Sequence, residues 1–199
     1  GVETFGVQTA YDFYCVHNVP NTMFTKIKCM DGTIERIDIS KMKFIPNGMF
    51  KMFNKLVAKN SEETVNIIHN YFNDTRKEHI SKNISNEYKY PVVNYTYKDG
   101  TFSLVYSNIK NGVCFETPKV IWSTGGASTP IIDEEGKYEQ TPWACSISDK
   151  TQNLPFIQKA MVHPDFIKLM LNVDGVYQHR YKNKAIATFR KDFWKDFQY

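Results

Sequence analysis

Glu135-Gly136-Lys137 places a carboxylate and an ammonium two positions apart, the spacing of the Glu-x-Lys half of a metal-dependent nuclease site. In such a site two carboxylates hold magnesium and the lysine sits by the attacked phosphate, so Asp99 or Asp133 would have to supply the second acid. Glycine after Asp133-Glu134-Glu135 suits a solvated turn better than the strand that normally carries this half-site. Cys15, Cys29, Cys114 and Cys145 are widely scattered with no Cys-x-x-Cys pair, so they read as reduced, buried thiols rather than zinc ligands or nucleophiles. The histidines at 17, 69, 79, 163 and 179 form no ligand spacing either.

No Gly-x-Gly-x-x-Gly, Gly-x-x-x-x-Gly-Lys-Ser/Thr, His-Glu-x-x-His or Gly-x-Ser-x-Gly motif occurs. Nucleotide cofactors therefore have no evident cradle, and no complete catalytic constellation is visible. Asn153-Leu154-Pro155-Phe156 is superficially similar to the Asn-Pro-Pro-Phe of amino-group DNA methyltransferases, but leucine stands second and no glycine-rich methyl-donor loop precedes it. These residues suit a helix start instead, with Asn153 as N-cap and Pro155 in the first turn.

The elements that must position these groups follow from patterning. Aromatic and β-branched runs predict strands over 4–16, 22–30 and 34–45, the last two joined by a turn at Asp31-Gly32. Phe50, Phe53, Leu56 and Val57 predict a helix over about 49–59. Ser61, Glu62 and Glu63 look like the start of a second over about 62–84, which would carry Val65, Ile68, Tyr71, Phe72, His69 and His79. A hairpin over 92–97 and 101–106 turns at Lys98-Asp99-Gly100; a strand over 113–122, a short strand over 143–147 and a helix over about 153–171, restarted at His163-Pro164, complete the series. Strands and helices in blocks predict an α+β fold of mixed, mostly antiparallel strands and hairpins, in a single domain over 1–199.

Two features point to a partner. Lys51, Lys55 and Lys59 recur one turn apart, and such like pairs repel by about 0.2–0.5 kcal/mol each. A phosphate backbone would relieve that repulsion, and ordinary solvation also tolerates it. Between 123 and 142 the chain is small and polar, long for a connection, and Ser123, Thr124, Ser128, Gln140 and Thr141 could hydrogen-bond base edges; a plain mobile loop would read the same way. The stretch Arg180 to Lys195 interleaves bases with Tyr181, Phe189, Phe193 and Trp194, which could stack on bases or dock a terminal segment onto the core.

Composition sets the bounds. With 199 residues, 42% of them hydrophobic, the chain can hide roughly 70% of its unfolded surface and needs no disulfide or metal to fold. No apolar run approaches the ~20 residues of a membrane span, and Gly1-Val2-Glu3-Thr4-Phe5 does not open a signal peptide, so a cytoplasmic location without membrane contact is expected. The net charge of +4 permits a polyanionic partner without demanding one. The chain starts without methionine, as an excised piece of a longer protein would, or one trimmed of its initiator.

Phe115-Glu116-Thr117-Pro118-Lys119-Val120-Ile121-Trp122, a small-residue loop, Pro130-Ile131-Ile132-Asp133, Gly136-Lys137-Tyr138 and Asn153-Leu154 before a helix form a recognisable series. It resembles the C-terminal target-recognition region of type II restriction–modification adenine-specific DNA methyltransferases, whose pattern runs Pro-Lys-Val-Ile, a variable loop, Asp-x-x-Gly-x-Tyr, and a short strand before a helix ending Ser-x-x-Phe. Here that end is His163-Pro164-Asp165-Phe166, with the serine replaced, and Phe189-Arg190-Lys191-Asp192-Phe193-Trp194 also looks like the ending of such chains. The resemblance covers about 88–197; earlier, only Phe44-Ile45-Pro46 adds an unspecific match. It implies a specificity module, not itself catalytic and without cofactor, that binds duplex DNA beside an N-terminal catalytic domain of the same parent chain. S-adenosylmethionine is expected in that other domain. On this reading Lys51, Lys55 and Lys119 contact phosphates while Ser123, Thr124, Ser128, Gln140 and Thr141 read bases. The alternatives are a magnesium nuclease using Asp99 or Asp133 with Glu135 and Lys137, and a protein-interaction domain without nucleic acid.

Overall fold

A computed structural model describes residues 24–29, 31–110, 113–125, 128–174 and 182–198. The strand expected over 4–16 lies outside these, as do Cys15, His17, His179, Arg180 and Tyr181. The fold is α+β with mostly antiparallel strands, as the block order of patterns predicts. Among the described residues no helix is long and apolar enough to cross a membrane.

Strands β1 (Thr25–Lys28) and β2 (Ile34–Ile37) pair antiparallel. Their turn forms as predicted: Gly32 takes φ 83°, and the Asp31 carboxylate accepts from the Thr33 N–H at 3.0 Å and hydroxyl at 2.6 Å. Helix α1 (Phe50–Leu56) buries Phe50, Phe53 and Leu56. It is shorter than expected, because Val57 turns extended at ψ 132° and bridges to Phe189. Lys59 is therefore off the helix, and the three-lysine stripe does not exist as one face.

The helix expected over 62–84 does not form. Its apolar residues serve as edge strands instead: β3 (Ile67–Ile68) pairs with Ile147 and Ser146, and β4 (Ile80–Ser81) pairs with Ser107 and Tyr106. Between them Asn70 accepts from the Phe72 N–H at 3.0 Å and Asp74 from the Arg76 N–H at 3.0 Å, local turns that compete with helix formation.

Two four-stranded sheets make the β layer. The strands β5 (Tyr90–Thr96) and β6 (Phe102–Ser107) form the predicted hairpin. β7 (Lys119–Ser123) starts only after Pro118. The segment expected to be a loop folds back as β8 (Ile131–Asp133) and β9 (Glu139–Gln140), before β10 (Ala144–Ser148). One sheet runs β3-β10-β7-β8, all antiparallel. The other runs β4-β6-β5-β9, with β9 parallel to β5. The sheets are joined where the Thr96 N–H donates to the Ser123 hydroxyl at 2.7 Å and the Ser123 N–H donates to the Thr96 hydroxyl at 3.0 Å.

Helices α2 (Leu154–Met161) and α3 (Pro164–Asp174) occupy the region read as one restarted helix, and α4 (Asn183–Ile186) follows. Pro155 sits in the first turn of α2 as expected, but Asn153 does not cap it; its amide instead donates to Asp149 at 2.9 Å. The main core joins Phe53 and Leu56 of α1 with Val120, Trp122 and Ile147 of the sheet and Leu154, Ile157 and Phe166 of the helices. Phe189, Phe193 and Phe197 are wholly buried in it, Phe197 meeting Phe166 edge-on at 5.5 Å. The described aromatics of the C-terminal stretch therefore dock it onto the core, and Trp194 stacks on Phe156 at 5.3 Å.

Candidate nucleic-acid interface

The residues of the recognisable series build a closed clip rather than a surface. Lys119 enters the fold as the first residue of β7, directly opposite Asp133 on β8. Its ammonium is fully buried and donates to Asp133 Oδ2 at 2.6 Å and to the carbonyls of Cys114 at 2.9 Å and Thr117 at 3.2 Å, which uses all three N–H groups. Asp133 in turn accepts the backbone N–H groups of Lys137 at 2.8 Å and Tyr138 at 3.0 Å. Gly136 is needed between them: it has φ 66°, its carbonyl accepts from the Glu116 N–H at 2.8 Å, and a Cβ there would lie 2.2 Å from the Thr117 nitrogen. Glu139, also buried, accepts from the Cys114 N–H at 2.8 Å and the Asn73 amide at 3.4 Å. Burial foremost, then the nearby Glu139 carboxylate, pushes the Cys114 thiol far above its ordinary value, which keeps it an inert thiol here.

This clip corrects several expectations. Lys119 has no surface to offer a phosphate. Ser123, Gln140 and Thr141 are also wholly buried, because β9 adds to β5 and carries the second half of the expected loop into the interior. Gln140 donates to the Ile68 carbonyl at 2.6 Å, and Thr141 donates to Asn94 Oδ1 at 3.2 Å. Ser128 is 9% exposed and accepts from the Ser123 N–H at 3.3 Å. The acid and base of the nuclease alternative are likewise engaged: Asp133 is sealed by Lys119, exposed Lys137 pairs with Glu135 at 3.1 Å, and Asp99 accepts from the Thr101 N–H at 2.9 Å and hydroxyl at 2.7 Å. Among the described residues no group of three or more His, Cys, Asp or Glu side chains could hold a metal ion.

Lys51, Lys55 and Thr124 keep solvent access. Lys51 and Lys55 are exposed on α1, apart from the loop residues, and Lys55 pairs with Asp196 at 2.8 Å. Thr124 lies at the exit of β7, where its N–H and hydroxyl both donate to the Trp143 carbonyl, at 2.8 and 3.2 Å. Trp143 is the residue the sequence reading missed as a surface group. The residue is 49% exposed and its indole stacks on Tyr95, with ring centroids 6.3 Å apart and planes 19° from parallel. The register of β5 slips between Val93 and Tyr95, a bulge that takes in Asn94 and shifts Tyr95 relative to the regular pleat. The Pro142-Trp143 pair before a short strand carried no signal that distinguishes a presented indole from a core one.

The chain on either side of this indole, over the described residues 120–125, 128–132 and 140–148, includes no aspartate or glutamate. Thr129 ties the neighbouring β5–β6 turn to it, donating from its N–H to the Tyr97 carbonyl at 3.0 Å and from its hydroxyl to the Lys98 carbonyl at 2.7 Å. By contrast, a cleft lined by Glu62, Glu63, Lys150, Lys191, Asp192 and Lys195 mixes both signs, and Lys191–Glu63 at 2.8 Å and Lys195–Asp192 at 3.1 Å neutralise each other. No protein-family model matches the chain, and a search of curated proteins finds no match.

Proposed function

We propose that this chain is the sequence-specific DNA recognition module of a restriction–modification adenine DNA methyltransferase, binding duplex DNA and positioning the target adenine for a separate catalytic domain. The observation that carries the reading is the buried Lys119–Asp133 pair at 2.6 Å. It ties the two strands that flank the small-residue segment at the end of their ladder away from that segment, and the pairing runs on to Ile121 and Ile131 beside it. A charge-locked pair of strands carrying a separate connecting segment suits a specificity module, since positioning and readout then lie on different residues. The resemblance places its variable loop in the same segment, between Pro118-Lys119-Val120-Ile121 and Asp133. Base-reading duties pass from the buried Ser123, Gln140 and Thr141 to Thr124, and phosphate contacts to Lys51 and Lys55. S-adenosylmethionine belongs to the catalytic domain of the parent chain in this proposal. The test is fluorescence anisotropy with a library of duplexes over a salt series. Binding whose affinity falls steeply with salt and differs among sequences is expected; no binding down to low salt defeats the reading.

A further inference from the structure

We infer that the Trp143–Tyr95 stack is a binding platform for an unstacked nucleobase; the inference rests on the DNA-binding reading and assigns it a contact of defined chemistry. Trp143 is 49% exposed, its backbone is hydrogen-bonded at both its N–H and its carbonyl, and its ring stacks with Tyr95. Tyr95 backs it at 19° from parallel, the Trp143 N–H donates to the Thr141 hydroxyl at 3.2 Å, and its carbonyl receives both donors of Thr124. A large aromatic face held in one orientation loses little freedom when another ring settles on it, which is the property a stacking platform needs.

Shape and polar groups select the occupant. The adjoining turn carries exposed Lys98 for a phosphodiester, next to the exposed Asp99 carboxylate, which accepts from Thr101 and stays charged. Half-buried Asn94 holds its carbonyl oxygen toward Thr141 and has further hydrogen-bonding capacity at its amide nitrogen, next to Tyr95. A flat π face with a half-buried amide next to Tyr95 and a lysine on the adjoining turn fits a base attached to a phosphate backbone better than an aliphatic protein side chain. In a duplex every base face is covered by its neighbours, so the platform engages a base only where the stack is interrupted.

The experiment compares two short duplexes of one sequence, one fully paired and one carrying a single unpaired 2-aminopurine. Wild-type protein should bind the interrupted duplex about tenfold more tightly and quench the aminopurine on binding. Trp143→Ala should abolish both the preference and the quenching while binding the paired duplex as the wild type does; Trp143→Phe, which keeps a ring, should retain most of the preference. Circular dichroism of each variant confirms the fold. If the paired duplex binds but Trp143→Ala keeps the preference, or the wild type never shows one, the platform is overturned and Trp143 faces a protein neighbour instead. If neither duplex binds at low salt, the DNA-binding reading itself has failed.

Discussion

The Lys119 ammonium lies 2.6 Å from Asp133 Oδ2, with the two side chains 0% and 2% exposed, and together they close the end of the β7–β8 ladder remote from the connecting segment. Removing one partner leaves the other buried and unpaired, which typically destabilises by about 3–5 kcal/mol. Lys119→Met should therefore lower the unfolding free energy by about that amount. The double variant with Asp133→Leu should lose less than the sum of the two single losses, because neither partner is then left charged and alone. Urea denaturation of the four proteins measures the coupling; strict additivity would mean the pair is not coupled.

Gly136 and Gly100 share a left-handed backbone, at φ 66° and 84°, but not an environment. A Cβ at Gly136 meets the Thr117 nitrogen at 2.2 Å, whereas at Gly100 nothing lies within 4 Å. Gly100→Ala should cost only the conformational strain, about 1–2 kcal/mol. Gly136→Ala should cost upward of ~3 kcal/mol, since backbone rather than a flexible side-chain tip must move. Thermal melts of the two variants give the comparison, and equal losses would contradict the close approach.

Cys145 is pushed up to about 12 by burial, against the opposing hydrogen bond from Asn183, and Cys114 moves in the same direction. A thiol whose folded pKa is raised favours folding fully below its unfolded pKa. Above the ordinary value of 9.0 the unfolded chain releases the proton and the folded chain does not, so stability is lost as pH rises from there toward 12. Stability should thus fall across that window, and fall less steeply in a Cys114→Ala, Cys145→Ala double variant, which removes both titrating groups. Denaturant midpoints at several alkaline pH values supply the slope. Neither thiol should react with an aromatic disulfide reagent until the protein unfolds.

Among the surface lysines, Lys51 and Lys55 differ in that Asp196 sits 2.8 Å from the Lys55 ammonium. Lys51→Ala should weaken binding to all duplexes and flatten the slope of log affinity against log salt by about one unit. Lys55→Ala should change it less, because a carboxylate already partly neutralises that charge. Thr124→Ala should instead relax sequence preference, with the salt slope unchanged. Anisotropy titrations over a salt series separate these outcomes, and a sequence preference untouched by Thr124→Ala would remove that residue from base readout.

The sequence alone determined the elements whose cause is local. Both hairpins were legible because Asp31-Gly32 and Asp99-Gly100 carry their own turn chemistry, an aspartate accepting from the threonine two positions on and a glycine at positive φ. The helices after Asn153 were legible because Pro155 and Pro164 each sit in a first turn and the apolar stripe follows. Tertiary structure alone decided the rest. Val65, Ile68, Tyr71 and Phe72 have the spacing of a helix stripe, but Ile67 and Ile68 pair with Ile147 and Ser146 far along the chain, and no local pattern records that pairing. The candidate site turned on the same kind of fact. Lys119, Gln140 and Thr141 are polar and sit in or beside what reads as a loop, yet Asp133, the Ile68 carbonyl and Asn94 engage them in the interior. Trp143 reads only as the start of a short strand, and it stands half in solvent beside Tyr95. Residue type states what a side chain can bond; whether water or protein supplies the partner depends on which distant strands meet, and that is settled only when the sheets close.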